Sequence, residues 1–365
     1  MCSIYIHIPF CIRKCNYCGF TSFDNLSRDI VSNYVKLLVK EIELISGIND
    51  SLKKIKTIFF GGGTPSLLTI KHFQIIFNSI KKYFDISELE EITLEINPVT
   101  EINFQELKEI GFNRISIGIQ SFNDKELIIL GRLHNAKLAE KTITEAQKFF
   151  QNISIDLIYG IPNQIFTSFQ KTIEKALSFG IQHISAYNLI IENETKLHKM
   201  ISQKTIEKAT EDQETEMYNY LCETLEKNNF SQYEVSNFAR SGYECKHNIN
   251  YWERGNYFGL GVAAHSMFNN NRWANTEDFS QYEKKISSNQ LPIISKEILT
   301  SKQILEEILF LGLRSNGVDI DILNEKQKMF LKDCINNGFA KKIKDRIILT
   351  SNGKFLTDFI VFKIL

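Results

Sequence analysis

Three cysteines within eight residues, Cys11-Ile-Arg-Lys-Cys15-Asn-Tyr-Cys18, constrain this chain more than any other stretch. The spacing lets one loop turn all three thiols toward a single centre. A disulfide suits the set poorly, because an odd number of close cysteines leaves a thiol over. Thiolates are soft ligands that favour iron–sulfur clusters, zinc or Cu(I). A closed zinc site asks for four ligands, and Gly19 and Phe20 follow where a fourth cysteine is wanted. His7 offers a nitrogen, yet it lies in the alternating run Ser3-Ile-Tyr-Ile-His-Ile8, which reads as a strand. Three thiolates on a four-iron cluster leave one iron open for chemistry. Cluster, zinc and structural thiols all stay compatible with the spacing alone.

The rest of the composition narrows the setting. Lys+Arg and Asp+Glu both count 43, so the formal charge is zero and gives no general pull toward nucleic acid or anionic lipid. No run of eighteen apolar residues is present, so no transmembrane helix is expected. Met-Cys-Ser-Ile-Tyr enters a strand at once and does not read as a signal peptide. Cys2, Cys222, Cys245 and Cys334 are scattered and read as packing residues, which fits a reducing cytoplasm. A chain of 365 residues holds one barrel-sized domain and a small one.

Short Ile-rich runs at Ile4–Ile8, Thr57–Phe60, Ile92–Ile96, Arg114–Ile119, Ser154–Ile158 and His183–Tyr187 read as strands. Between them lie helical patterns at Arg28–Ile45, Ile70–Tyr83, Phe104–Ile110, Ala136–Phe150, Phe166–Phe179 and Ala209–Asn228. Such alternation makes an α/β fold with a parallel sheet and right-handed crossovers. Periodicity cannot separate an open sheet from a barrel. From about Phe230 to Trp273 the pattern breaks, with room for added strands or a cover over the open side. The last segment has helices at Thr300–Leu313 and Lys326–Asn337. Two short strands around a Lys-Asp turn follow, then a closing helix from Asn352. That order is winged-helix-like, and without a basic excess no DNA-binding role is expected. The expected units are 1–228, 229–295 and 296–365.

Ligands of parallel α/β folds bind at the carboxyl ends of the strands. The first strand here runs into the cysteine loop, the second into Gly61-Gly-Gly-Thr-Pro65, the third into Glu95-Ile-Asn-Pro98 and the fourth into Gln120. The fifth holds Asp156. Glycines let the backbone approach a ligand, and free amides in such a loop bind a carboxylate.

Cys-x-x-x-Cys-x-x-Cys after a short strand resembles the signature loop of radical S-adenosylmethionine enzymes. Tyr5-Ile-His-Ile-Pro-Phe-Cys11 resembles the coproporphyrinogen dehydrogenase (HemN) group of that superfamily. The resemblance implies a partial six-unit (β/α) barrel with a 4Fe-4S cluster on Cys11, Cys15 and Cys18. It also implies S-adenosylmethionine (SAM) bound by Gly62, Gly63 and Thr64, by Tyr5, Glu95, Gln120, Arg132 and Asp156, and by the backbone at Tyr17. A reduced cluster of this kind passes one electron to the sulfonium and cleaves a carbon–sulfur bond.

Three departures choose the branch. The dehydrogenases carry a further cysteine where Phe20 stands, and a longer segment ahead of the cluster strand, where only two residues precede Ser3 here. His247-Asn-Ile-Asn-Tyr-Trp252 resembles the heme-binding signature of the heme-chaperone branch, with His247 as axial ligand on a partly open site apart from the cofactor rim. Cys245 and His265 lie nearby. The expected function is heme binding and transfer to apo-hemoproteins of the respiratory chain. The alternative is oxygen-independent oxidative decarboxylation of coproporphyrinogen III. A homodimer and peripheral membrane association stay open, and nucleic acid is not an expected partner.

Overall fold

The computed structural model describes residues 2–24, 27–47, 54–99 and 101–365. One twelve-stranded sheet organises the chain. Its strands, in chain order, are β1 (Cys2–Ile8), β2 (Ile55–Gly62), β3 (Glu91–Ile96), β4 (Arg114–Gln120), β5 (Ile153–Tyr159) and β6 (His183–Asn188). They continue with β7 (Ser231–Gln232), β8 (Asn237–Ala239), β9 (Asn256–Leu260), β10 (His265–Phe268), β11 (Asn271–Asn275) and β12 (Ile293–Ile298). Across the sheet the order is β12-β11-β10-β9-β1-β2-β3-β4-β5-β6-β8-β7. The six strands expected from the Ile-rich runs form its parallel centre. The aperiodic stretch after Phe230 widens the sheet on both flanks. Strand β9 adds parallel to β1, and β8 adds antiparallel to β6.

The centre is Ile-rich on one face and polar on the other. Ile4, Ile6 and Ile8 are fully buried under helices, while Ser3, Tyr5 and His7 alternate with them and face inward. Each fully buried Ile contributes about 1.5–3 kcal/mol, so the helix-covered face holds the fold and frees the inner face for chemistry. The covering helices begin on local caps. Helix α1 (Arg28–Ser46) starts at Ser27, whose side chain accepts from Ile30 N, and buries Tyr34, Val35, Leu38, Ile42 and Ile45. Helix α2 (Ile70–Tyr83) starts with a capping box between Thr69 and His72. Helices α3 (Phe104–Ile110), α5 (Ala136–Gln147), α6 (Phe166–Ser178) and α8 (Glu211–Lys227) follow the expected spacing. Four further helices, α4 (Asp124–Leu130), α7 (Lys196–Ser202), α9 (Lys246–Trp252) and α10 (Phe279–Ser287), lie outside it.

Residues beyond the sheet form helices α11 (Ser301–Arg314) and α12 (Glu325–Asn336), then a hairpin of Ala340–Ile343 and Arg346–Leu349. Helices α13 (Ser351–Phe355) and α14 (Thr357–Ile364) close the chain. Leu309, Leu313, Leu331, Ile347 and Ile360 give this unit its own apolar core. It is tied to the sheet by Arg254 and Arg272 on Glu307, and by Lys354 Nζ on Gln232 O.

Candidate functional site

The cysteine loop leaves β1 at Pro9 and is pinned at both ends. Phe23 N donates to Pro9 O at 2.6 Å, and the short parallel pair Phe10↔Phe23, Cys11↔Asp24 closes the loop's neck. Its middle docks on the end of α4. Asn16 N and Nδ2 donate to Leu130 O and Ile129 O at 2.9 and 2.8 Å. Gly131 ends α4 at φ 73, a left-handed cap, and a Cβ there would meet the Asn16 side chain at 2.7 Å. The cap aims Arg132 back at the loop, where its Nη1 donates to Cys15 Sγ at 3.5 Å. Thr64 Oγ1 donates to Cys11 Sγ at 3.8 Å. All three thiols are free and half-buried. Three thiols on one loop, two of them accepting from nearby donors, are a donor set that fits an iron–sulfur cluster. Among the described residues no three His, Cys, Asp or Glu side chains converge as a single-ion site requires. A cubane asks for no such convergence, because each thiolate takes its own iron.

The Gly61-Gly-Gly-Thr loop corrects one expectation. Its amides do not wait for a carboxylate. Gly62 N donates to Glu95 Oε2 at 3.1 Å, Gly63 N to Ile8 O at 2.9 Å and Thr64 N to Phe10 O at 2.7 Å. These bonds sew the loop to the start of the cysteine segment. Gly62 sits at φ 110, and a Cβ on it would meet the His7 ring at 2.5 Å. The ring is fixed in turn, with Nδ1 against Tyr5 OH and Nε2 against Thr21 O, both at 3.0 Å.

Between the two loops lies a shallow recess lined by Cys15, Thr64, Asn97, Arg132 and His134. Asn97 Nδ2 donates to Thr64 Oγ1 at 2.8 Å, and Arg132 Nη2 reaches Asn97 Oδ1 and Gly118 O at 2.5 Å. The buried Arg132 Nε finds no partner. Gln120 lies beside this group at φ 68, a left-handed conformation unusual for its type. Tyr17 packs on Leu130, Ile158 and Ile161 behind the loop.

Beneath the recess, inside the sheet's curve, is a polar cavity of about 200 Å³. Tyr5, Phe59, Glu95, Arg114, Ser116, Asp156, Ser185, Tyr187, His247 and Tyr251 line it. Burial first, and the Asp156 charge second, push the Glu95 carboxyl up to about 8. Burial also raises Asp156, while the Ser116 hydroxyl, donating at 3.0 Å, pulls it back.

His247 is the second correction. It is expected on a partly open site apart from the cofactor rim, yet it shares this cavity with Tyr5, Glu95 and Asp156. Helix α9 (Lys246–Trp252) plugs the end of the sheet opposite the cysteine loop. Glu91, the first residue of β3, caps it by accepting from Lys246 N and His247 N at 3.0 and 3.1 Å. Both His247 ring nitrogens are engaged, Nδ1 with Thr57 Oγ1 at 2.7 Å and Nε2 with Tyr251 OH at 2.9 Å. Thr57 donates its hydroxyl to Ser3 Oγ, so Nδ1 carries the proton and Nε2 the lone pair. Burial first, and Arg114 second, lower the imidazole to about 3 and hold it neutral. Cys245 is buried, with its thiol on Glu91 Oε1, and His265 is exposed on β10.

The structure thus gathers Tyr5, Glu95, Asp156 and His247 at one cavity, and Cys15, Thr64 and Arg132 at the recess above it. Sequence reading missed Arg114, Asn97 and Glu91. Arg114 and Glu91 open their strands, where a charged residue reads as a solvated strand end. Asn97 follows the named Glu95 by two, and its spacing before Pro98 was the available signal.

Residues 5–176 match the radical SAM superfamily model. A parallel sheet carrying the three-cysteine loop at its carboxyl rim defines the same class. The chain is 34% identical to the heme chaperone HemW of Bacillus subtilis, over 98% of this chain and 97% of that one. It is 32% identical to the heme chaperone HemW of Lactococcus lactis, over 99% and 98%. It is 35% identical to a mitochondrial radical S-adenosyl methionine domain-containing protein of Danio rerio, over 86% and 73%. The solved coproporphyrinogen III oxidase HemN of Escherichia coli superposes with a TM-score of 0.84 over 99% of this chain and 89% of that one, at 21% identity, and shares the fold. Within the superfamily, the chain belongs to the HemW family.

Proposed function

We propose that this protein binds heme and hands it to apo-hemoproteins, as a radical SAM heme chaperone. The observation that carries the reading is similarity along the full length to the Bacillus subtilis heme chaperone. Cys11, Cys15 and Cys18 would hold a 4Fe-4S cluster, supported by three free thiols on one pinned loop. Bound there with SAM, the cluster supplies one-electron cleavage of the sulfonium. Thr64, Arg132 and the Gly62–Gly63 loop would hold the methionine end of SAM. Tyr5, Tyr17, Glu95, Gln120 and Asp156 would hold the nucleoside end.

His247 is our candidate for the heme iron, through Nε2. Ligation would exchange the Tyr251 hydroxyl for iron, so it needs the floor helix to open. The three units, 1–228, 229–295 and 296–365, would carry cofactors, cargo motif and a closing domain. Seven free cysteines support a reducing, cytoplasmic setting, with recipients among respiratory hemoproteins. No described helix is long and apolar enough to cross a membrane.

The test is an anaerobic titration of reconstituted protein with hemin, followed by mixing with an apo-hemoprotein. A saturable Soret shift and transfer of the heme support the chaperone. Conversion of coproporphyrinogen III to protoporphyrinogen, without a heme complex, overturns it.

A further inference from the structure

The floor of the polar cavity holds a cation that the cofactor assignments leave unused. Arg114 is 2% exposed and is the largest fully buried side chain among the described residues. Its guanidinium lines the cavity, and its Nε has no hydrogen-bond partner. A buried guanidinium nitrogen without a partner is costly, because its donor has left water without replacement. Glu91 is near enough to act on it electrostatically, but both Glu91 oxygens are committed to the start of α9. Asp156 takes the Ser116 hydroxyl.

We propose that Arg114 marks a carboxylate subsite, which takes a propionate arm of the tetrapyrrole once helix α9 opens to let His247 meet the iron. The inference rests on the heme reading above. A guanidinium pairs with a carboxylate through two parallel bonds, a planar match that fits one buried arginine. Ser116 and Ser185 stand on the same wall, with their hydroxyls turned to Asp156, so the guanidinium is the donor left for an incoming anion. Glu95 holds its proton at neutral pH, so it meets an incoming anion as a donor and not as a like charge. The size agrees. A cavity of about 200 Å³ is below the roughly 300–1,000 Å³ of sites that enclose whole drug-sized ligands, and suits a short side arm. SAM also carries a carboxylate, so the two sources must be told apart.

The experiment titrates the anaerobically reconstituted protein with hemin, with hemin dimethyl ester and with SAM. The wild type needs no variant for the first comparison. The expected result is a heme affinity that drops about tenfold or more when the propionates are esterified, as loss of one charge-assisted contact implies. Arg114→Gln should bind hemin and its ester alike, and Arg114→Lys should recover part of the difference. Cluster absorbance should stay at the wild-type level in both variants, and any change in SAM affinity should be smaller than the change in hemin affinity. Equal binding of acid and ester by the wild type overturns the subsite. A loss of SAM affinity in Arg114→Gln with unchanged hemin binding overturns the propionate assignment in favour of the SAM carboxylate. No hemin binding by the wild type defeats the chaperone reading itself, a separate outcome.

Discussion

Glu41→Gln should change how the stability of this protein depends on pH. Glu41 sits in α1 with no exposure and joins three segments distant in sequence. Its Oε2 accepts from Gly261 N at 2.8 Å and Tyr282 OH at 2.6 Å, and its Oε1 from Asn275 Nδ2 at 2.6 Å. Beside it Tyr34 OH donates to His7 O and accepts from Val262 N, so the cluster reaches the strand that feeds the cysteine loop. Burial pushes the carboxyl from 4.5 to about 7, against the pull of the Tyr282, Gly261 and Asn275 bonds. The folded state therefore prefers the protonated form. The associated stability is full below pH 4.5 and is lost as pH rises through 7. The whole swing is about 3 kcal/mol, most of it between pH 5 and 8.

Glutamine keeps the shape and cannot ionise. It sets an amide donor against Asn275, a mismatch of about 1–3 kcal/mol that does not vary with pH. Urea unfolding of apoprotein, followed by circular dichroism, should show the variant weaker at pH 5. The gap should shrink by about 2–3 kcal/mol at pH 8, because all other titrations cancel in the difference. A gap that stays constant across that range would refute an elevated Glu41 in the folded protein.

Gly62→Ala should lose about 1–2 kcal/mol from its left-handed backbone alone, and more from the His7 contact. Reconstitution should then yield less cluster absorbance; full yield would show that the Gly loop does not shape the cysteine segment. SAM binding should release on the order of one proton near pH 7 if Glu95 must ionise to hold it, since the free carboxyl titrates at about 8. Calorimetry in buffers of different ionisation enthalpy reads this directly, and buffer-independent heat would remove Glu95 from the contact. Glu91→Gln should free the start of α9 and cost about 1–3 kcal/mol, seen as faster amide exchange at Lys246 and His247. Unchanged exchange would mean that the cap is not holding the floor.

The strands of the centre were legible because their residues repeat Ile at every second place, and one buried apolar face leaves no other register. Ile70–Tyr83 was legible for a similar reason, with Thr69 marking its start. The rim of the site could be read because Gly62, Glu95 and Gln120 end their strands. Helices α4 and α7 have seven residues each, too few turns for a period to emerge. The role of Gly131 was hidden as well, because its reason is Asn16, more than a hundred residues earlier. The floor was the least legible part. Helix α9 meets Thr57 and Glu91, whose sequence separations from His247 are 190 and 156 residues. Nothing local in His247-Asn-Ile-Asn-Tyr-Trp252 says that it faces inward.

With heme on His247, that placement would tie cargo to cofactor. The inner face of the sheet is polar, and each of its groups needs a partner once water is excluded. On the floor these partners come from α9 and its surroundings. Ser3 and Thr57 continue through His247 to Tyr251, and Ser154 continues through His183 to Tyr233. An iron held at His247 Nε2 would displace Tyr251, which lines the same cavity as Tyr5 and Glu95. Tyr5 in turn holds His7, and His7 holds the exit of the cysteine loop at Thr21. A change at the floor thus has an unbroken path of hydrogen bonds and ring contacts to the rim, through the 6.5 Å approach of Tyr5 to His247. Were binding at one end to alter the groups that bind at the other, linkage would make the effect mutual. In a heme chaperone built this way, SAM at the rim would set how tightly heme is held without touching it.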